Sequence, residues 1–170
     1  ADIGIRDGRI ATLAESITDA DDVIDASGQI VMPGGIEAHC HIAQESGMGV
    51  MTSDDYESGS ISAAFGGNSC FVPFAAQKAG QSLATTIQNY DERATPKSVL
   101  DYSYHLILTD PTPEVLAELP DVFAQGITSF KVFMTYATRV SDAQFLDILS
   151  TAGRHGGLTM VHAENHDMLD

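Results

Sequence analysis

The chain has 170 residues, 44% of them hydrophobic and 19% charged, a globular balance with enough apolar side chains for a real core. Eight Lys and Arg against 24 Asp and Glu leave a net charge of −16, which argues against a nucleic-acid partner because phosphate binding needs clustered cations. No apolar run is long enough to span a bilayer and no secretory pattern is present, so no membrane partner is expected and the expected location is the cytoplasm.

Residues 1–31 read as part of a small β-sandwich subdomain. Ile3 and Ile5 alternate with Asp2 and Gly4, Asp7-Gly8 is a hairpin-type turn, and Ile10 and Leu13 resume the apolar beat. Val23 and Ile24 lead to a second turn at Ser27-Gly28, followed by Ile30 and Val31. The chain opens without Met in what reads as a strand, so a longer parent protein is expected. Cys40 and Cys70 lie in apolar strand-like stretches and read as free buried thiols.

Residues 32–170 change to an alternation of strand and helix. Strands are predicted over 36–42, 70–74, 102–108, 127–134 and 158–162. The first helix starts at Thr52-Ser53-Asp54-Asp55, with acids at its positive end, and stops at Gly66-Gly67. The second carries Leu83, Ile87, Tyr90 and Ala94 on one stripe. The third opens at Asp110-Pro111-Thr112-Pro113-Glu114 and carries Leu116, Leu119 and Phe123; Pro120 should kink or break it. The fourth opens on a capping box, Ser141 to Gln144, and carries Phe145, Leu149 and Ala152. Regular βα units with short connections imply a parallel sheet, either open and doubly wound or just over half of a barrel.

The residues that carry chemistry favour the barrel. His39 and His41 flank Cys40 at the end of the first of these strands, and the two-residue period of a strand points both imidazoles the same way. Such a pair makes two arms of a metal site, although His-x-His alone is equally compatible with two partly exposed histidines. Lys131 interrupts Ser129-Phe130-Lys131-Val132-Phe133-Met134, which otherwise reads as a buried strand. A buried ammonium is expensive, so its pKa falls and the neutral amine becomes able to capture carbon dioxide as a carbamate. The bland alternative is a strand-end lysine reaching solvent. His162 ends the fifth strand. Three strand ends thus present His, His, Lys and His, and barrel enzymes place their sites at that rim. The predicted fold class is therefore α/β: the first five strands and four helices of a (β/α)8 TIM barrel, preceded by part of a β-sandwich.

Pro33-Gly34-Gly35-Ile36-Glu37-Ala38-His39-Cys40-His41, then Ser129 to Tyr136, then Val161-His162-Ala163-Glu164 together resemble the dihydropyrimidinase and hydantoinase family of the amidohydrolase superfamily, in order and spacing and over the whole chain. The resemblance implies a binuclear zinc site, with His39 and His41 on one metal, His162 on the other and carboxylated Lys131 bridging them. It implies that Tyr136 stabilises the oxyanion while a metal-activated hydroxide opens a small cyclic amide, and that the enzyme is a homotetramer. It also implies a further His and an Asp beyond Asp170, so that residues 1–170 alone are expected to be inactive. Glu37 stands where many relatives carry Asp.

An allantoinase-like hydrolase and a non-catalytic relative that serves in assembly remain alternatives, whereas Ala43 in place of an Arg speaks against dihydroorotase. His105 reads as a hydrogen-bonded core histidine, His155 as a helix cap and His166 as a loop residue. Ser58-Gly59-Ser60 falls within a helix and is not a nucleophile elbow, and Gly66-Gly67-Asn68 lacks phosphate-loop spacing.

Overall fold

A computed structural model describes residues 1–46 and 49–169. The chain divides into two units, Ala1–Pro33 and Gly34–Asp170. In the first, β1 (Asp2–Arg6) pairs antiparallel with β2 (Arg9–Ala14). Asp7 (φ 52°) and Gly8 (φ 70°) both take the left-handed conformation that a two-residue hairpin with right-handed twist demands. The second turn also forms: Gln29 N donates to Ala26 O at 2.9 Å, and Asp25 Oδ1 accepts from Ser27 N at 2.9 Å. The strands expected on either side of it do not. Turn chemistry is local and bends the chain unaided, whereas a ladder needs a partner in register, and among the described residues Val23, Ile24, Ile30 and Val31 have none.

The second unit runs β3 (Gly35–Cys40), α1 (Tyr56–Phe65), β4 (Asn68–Ala76), α2 (Leu83–Ala94), β5 (Asp101–Tyr102), β6 (His105–Ile107), α3 (Pro113–Ala117), α4 (Leu119–Ala124), β7 (Ser129–Phe133), α5 (Asp142–Arg154) and β8 (Leu158–His162), then a 3₁₀ turn at His166–Met168. Every pairing in it between named strands is parallel. The strand order β3-β4-β6-β7-β8 follows the sequence, with β5 also on β4, and the sheet curls into a half-barrel. Among the described residues no helix is long and apolar enough to cross a membrane.

The helix signals act where sequence chemistry places them. Asp55 caps α1 by accepting from Glu57 N and Ser58 N, and Gly67 (φ 85°) turns the chain out after it. Ser141 and Gln144 form the capping box of α5. Pro120 splits the third helix: α3 ends before Glu118, and the proline sits in the first turn of α4, where its missing N–H leaves no bond unmade.

The third barrel strand, expected as one piece, is interrupted at Ser103-Tyr104. The Tyr104 hydroxyl is drawn instead to Asp91 Oδ1 on α2, 2.8 Å away. In α5 Ile148 is buried alongside Ala152, while Leu149 is 39% exposed. Spacings of three and four both lie near one helical face, and the neighbours that choose between them are remote in sequence.

The core lies between sheet and helices. Phe71 and Ala75 of β4, Leu106 of β6, and Phe130 and Val132 of β7 meet Leu83, Ile87, Tyr90, Leu119, Val122, Ile148 and Ala152 from the helices. Phe130 is fully buried and packs its ring 5.6 Å from that of Phe123. Phe130→Ala should therefore cost about 3–5 kcal/mol in urea unfolding, in the range of large-to-small changes in packed cores; a loss well below 1 kcal/mol would mean that β7 is not anchored this way.

Candidate metal centre

Register decides which side chains share the concave face of the half-barrel. In β7, Phe130 and Val132 enter the helix-side core, so Ser129, Lys131 and Phe133 point the opposite way. Residues paired across a ladder share a face. Lys131 pairs with Ile107 and Met160, and Phe133 pairs with His162, which brings His162 to the side of Lys131. Phe74 pairs with His105, and both His39 and His41 rest on the Phe74 ring, at 4.9 and 4.8 Å between centroids.

His39 is in the last turn of the pleat of β3 and His41 lies just beyond it, with their rings 5.7 Å apart. The Nδ1 of His41 lies 2.6 Å from Gln44 Oε1. At the other end of the face, His162 stacks on Phe133 at 5.3 Å and meets the Tyr136 ring at 5.2 Å. Lys131 Nζ lies over the Phe133 ring, 5.3 Å from its centroid, and partial burial holds its pKa below the usual lysine value. Glu164 Oε2 lies 3.2 Å from His162 Nε2 and accepts from the Tyr136 hydroxyl at 3.1 Å. These two contacts, His162 first, lower the Glu164 pKa, and the same carboxylate raises that of Tyr136 by retaining its proton.

Between the two clusters stand Phe74, His105 and Ser129. His105 is a core histidine, as its mid-strand position suggested. Its Nε2 faces the Ala38 carbonyl at 2.9 Å and its Nδ1 meets Ser129 Oγ at 2.5 Å, so it bolts β6 to β3 and β7. A carbonyl can only accept, so Nε2 carries the proton and Nδ1 accepts from the serine. His155 caps α5, also as expected. His166 begins the 3₁₀ turn and is half-buried, with Nδ1 3.4 Å from Thr135 Oγ1, so it is more enclosed than a solvated loop residue. Cys40 and Cys70 are free and half-buried.

Among the described residues no three His, Cys, Asp or Glu side chains come together closely enough to hold an ion. The donor chemistry nevertheless fits a divalent cation: imidazoles and an amine of lowered basicity on one face, with His162 Nε2 enclosed. That nitrogen is within reach of Glu164 but too poorly aligned for a full hydrogen bond.

Two non-glycine residues beside the site adopt left-handed backbone, Ala43 (φ 47°) after β3 and Tyr136 (φ 67°) after β7. Such conformations cost about 1–3 kcal/mol each and persist only when the surroundings enforce them. For Ala43 the surroundings are visible: its N–H donates to Asp54 O at 2.9 Å and its carbonyl accepts from Arg93 Nη1 at 2.8 Å. Glu164, Gln44 and Arg93 were not singled out from the sequence as site residues. The first two lie two and three residues beyond a candidate ligand, a spacing that could have exposed them. Arg93 reaches across 50 positions and leaves no local signal.

No family model matches the chain. The chain is 43% identical over 174 residues to a D-hydantoinase of Geobacillus stearothermophilus, which covers all of this chain and 37% of the relative. Over its whole length the chain is similar to about a third of the length of D-hydantoinases and dihydropyrimidinases. A dihydropyrimidinase of Rattus norvegicus is 33% identical over 178 residues, covering 99% of this chain and 34% of its own length. A D-hydantoinase crystal structure superposes with a TM-score of 0.92 at 41% identity, over 99% of this chain and 37% of that one. A dihydropyrimidinase from Brevibacillus agri does so at 0.89 and 39%, over 95% and 36%. The chain spans about a third of the length of the curated relatives it matches.

Burial, and secondarily the neighbouring His39, holds the pKa of His105 below its ordinary 6.5, while the Ala38 contact opposes the shift. The unfolded chain thus takes up the proton first. The stability this site contributes is full above pH 6.5 and is lost as pH falls towards the lower folded-state value. Thermal melts on either side of pH 6.5 should show a destabilisation in acid that shrinks in His105→Gln; an unchanged pH slope in that variant would contradict the neutral, bolted histidine.

Proposed function

We propose that the chain carries part of the metal centre of an enzyme that hydrolyses the ring C–N bond of dihydropyrimidines or hydantoins. The observation that carries the reading is Lys131. It is an amine of depressed basicity, placed by register on the concave face beside Phe133 and His162, in a strand whose alternate side chains are sealed in the core. In this reading His39 and His41 would hold one divalent cation, His162 would hold a second, and Lys131 as a carbamate would supply the anion between them. Zinc suits the imidazole ligands. Two neighbouring dications would require an anion between them, and the half-buried Lys131 amine in its unprotonated form would supply one by adding carbon dioxide to give a carbamate and releasing a proton to solvent. When bound, the cations would activate water at neutral pH and polarise the scissile carbonyl.

The chain's own residues do the rest. Tyr136 has the donor for the carbonyl oxygen as charge develops there, and its left-handed backbone folds the phenol over His162. Glu164 holds that hydroxyl until substrate takes it. Beside Tyr136 opens a cavity of about 570 Å³ with Phe133, Gln44, Asn89 and Arg93 in its walls, within the range of small-molecule sites. Residues 1–31 serve as part of a β-sandwich subdomain in this reading, residues 32–170 as the first half of the barrel, and the enzyme works as a homotetramer in the cytoplasm.

The test is a pair of variants compared for metal content and turnover of dihydrouracil and hydantoin in the enzyme that contains this chain. Lys131→Ala should lose metal and activity together, with partial rescue by a short carboxylic acid. Tyr136→Phe should keep its metal and lose roughly 10²–10³ in kcat, the scale for removing one oxyanion donor. A Lys131→Ala enzyme with two metals and normal turnover would overturn the bridging role.

A further inference from the structure

The side chain of Gln44 does something to His41 that neither β3 nor the metal reading requires. The chain leaves His41, passes Ile42 and reverses at Ala43, whose left-handed backbone is held by Asp54 O on one side and the Arg93 guanidinium on the other. Arg93 is itself seated over the Tyr90 ring, 4.8 Å from its centroid. The backbone of Gln44 is then fixed at both ends of its peptide: its N–H donates to Thr52 Oγ1 at 3.1 Å, and its carbonyl accepts from Thr52 N at 2.9 Å. This reversal carries the Gln44 amide back to His41, with Oε1 2.6 Å from Nδ1.

An amide oxygen accepts and cannot donate, so the nitrogen facing it must bear the ring proton. A neutral imidazole has one proton. With that proton on Nδ1, Nε2 keeps its lone pair and becomes the ligand atom. Unlike a carboxylate in the same place, the amide adds no charge to the site.

We propose that Gln44 is a positioning residue that sets the tautomer of His41, and through it the ring nitrogen by which His41 holds a cation. The assignment of the ligand nitrogen rests on the metal reading above; the tautomer itself does not. The Ala43 turn, Asp54, Thr52 and Arg93 are the scaffold that makes the contact a feature of the fold, because together they hold the backbone from which the amide projects. A flexible loop residue would release the imidazole to whichever tautomer water favours.

Long-range ¹H–¹⁵N spectra of the metal-free chain, labelled at histidine and recorded above the imidazole titration, read the tautomer directly, with His41 assigned by its loss in His41→Asn. Zinc affinity is measured in parallel by competition with a chromophoric chelator. His41 should be in the Nδ1–H form in the wild type and in Gln44→Glu, which keeps an acceptor. In Gln44→Met, of similar length and without one, it should move towards the Nε2–H form, and zinc affinity should fall roughly 10–100-fold, the usual effect of removing such a partner. A wild-type His41 in the Nε2–H form, or a Gln44→Met spectrum and affinity unchanged from wild type, would overturn the proposal. The expected tautomers with no zinc affinity in any of the three proteins would instead contradict the metal reading and leave the tautomer assignment standing.

Discussion

A single residue step in β7 separates the hydrophobic core from the chemistry. Phe130 and Val132 are fully buried against the helices, and Ser129, Lys131 and Phe133 are thereby turned to the concave face. A slip of one residue would expose both apolar side chains, each worth about 1.5–3 kcal/mol in burial, and would drive an ammonium into the helix layer. The helices therefore hold Lys131 in place without touching it. Ladder pairing passes the same choice of face to β6 and β8, and so to His105 and His162.

Polar bolts then refine what register has placed. His105 ties β6 to its neighbours through Ser129 and the Ala38 carbonyl, and a buried aromatic base serves that role at neutral pH without carrying a charge. At the strand ends the backbone is held in conformations it would not choose. Ala43 and Tyr136 are both left-handed, and each presents a polar side chain near the proposed ligands: the turn at Ala43 presents Gln44, and Tyr136 presents its own hydroxyl. Strain next to the chemistry, with rigid packing behind it, is the arrangement expected of a site that must be organised before substrate arrives.

Much of this was legible in the sequence, for reasons that differ element by element. The hairpin at Asp7-Gly8, the caps at Asp55 and Ser141 and the break at Pro120 rest on local backbone chemistry, and local rules suffice for them. The parallel α/β sheet followed from the regular alternation of the two periods, the barrel from the chemistry at three strand ends, and the shared direction of His39 and His41 from the period of two. What was not legible depends on distant partners. The strands around Ser27-Gly28 needed a ladder that the turn could not supply. The choice of Ile148 over Leu149 is made by packing, the interruption at Tyr104 by Asp91 on α2, and the Ala43 turn by an arginine 50 residues away. Glu164 was visible in the motif but had no role until the structure placed its carboxylate between His162 and Tyr136.

The central claim is that one concave face gathers His39, His41, Lys131 and His162 around two cations with the lysine as the anionic bridge. Anomalous diffraction at the zinc edge, from crystals of the enzyme containing this chain grown with zinc and bicarbonate, tests it most directly. The account predicts two metal peaks, one bonded to the imidazoles of His39 and His41 and one to that of His162, with density for a carboxylated Lys131 joining them. Metal peaks elsewhere, or an unmodified Lys131 amine beside two bound ions, would contradict it.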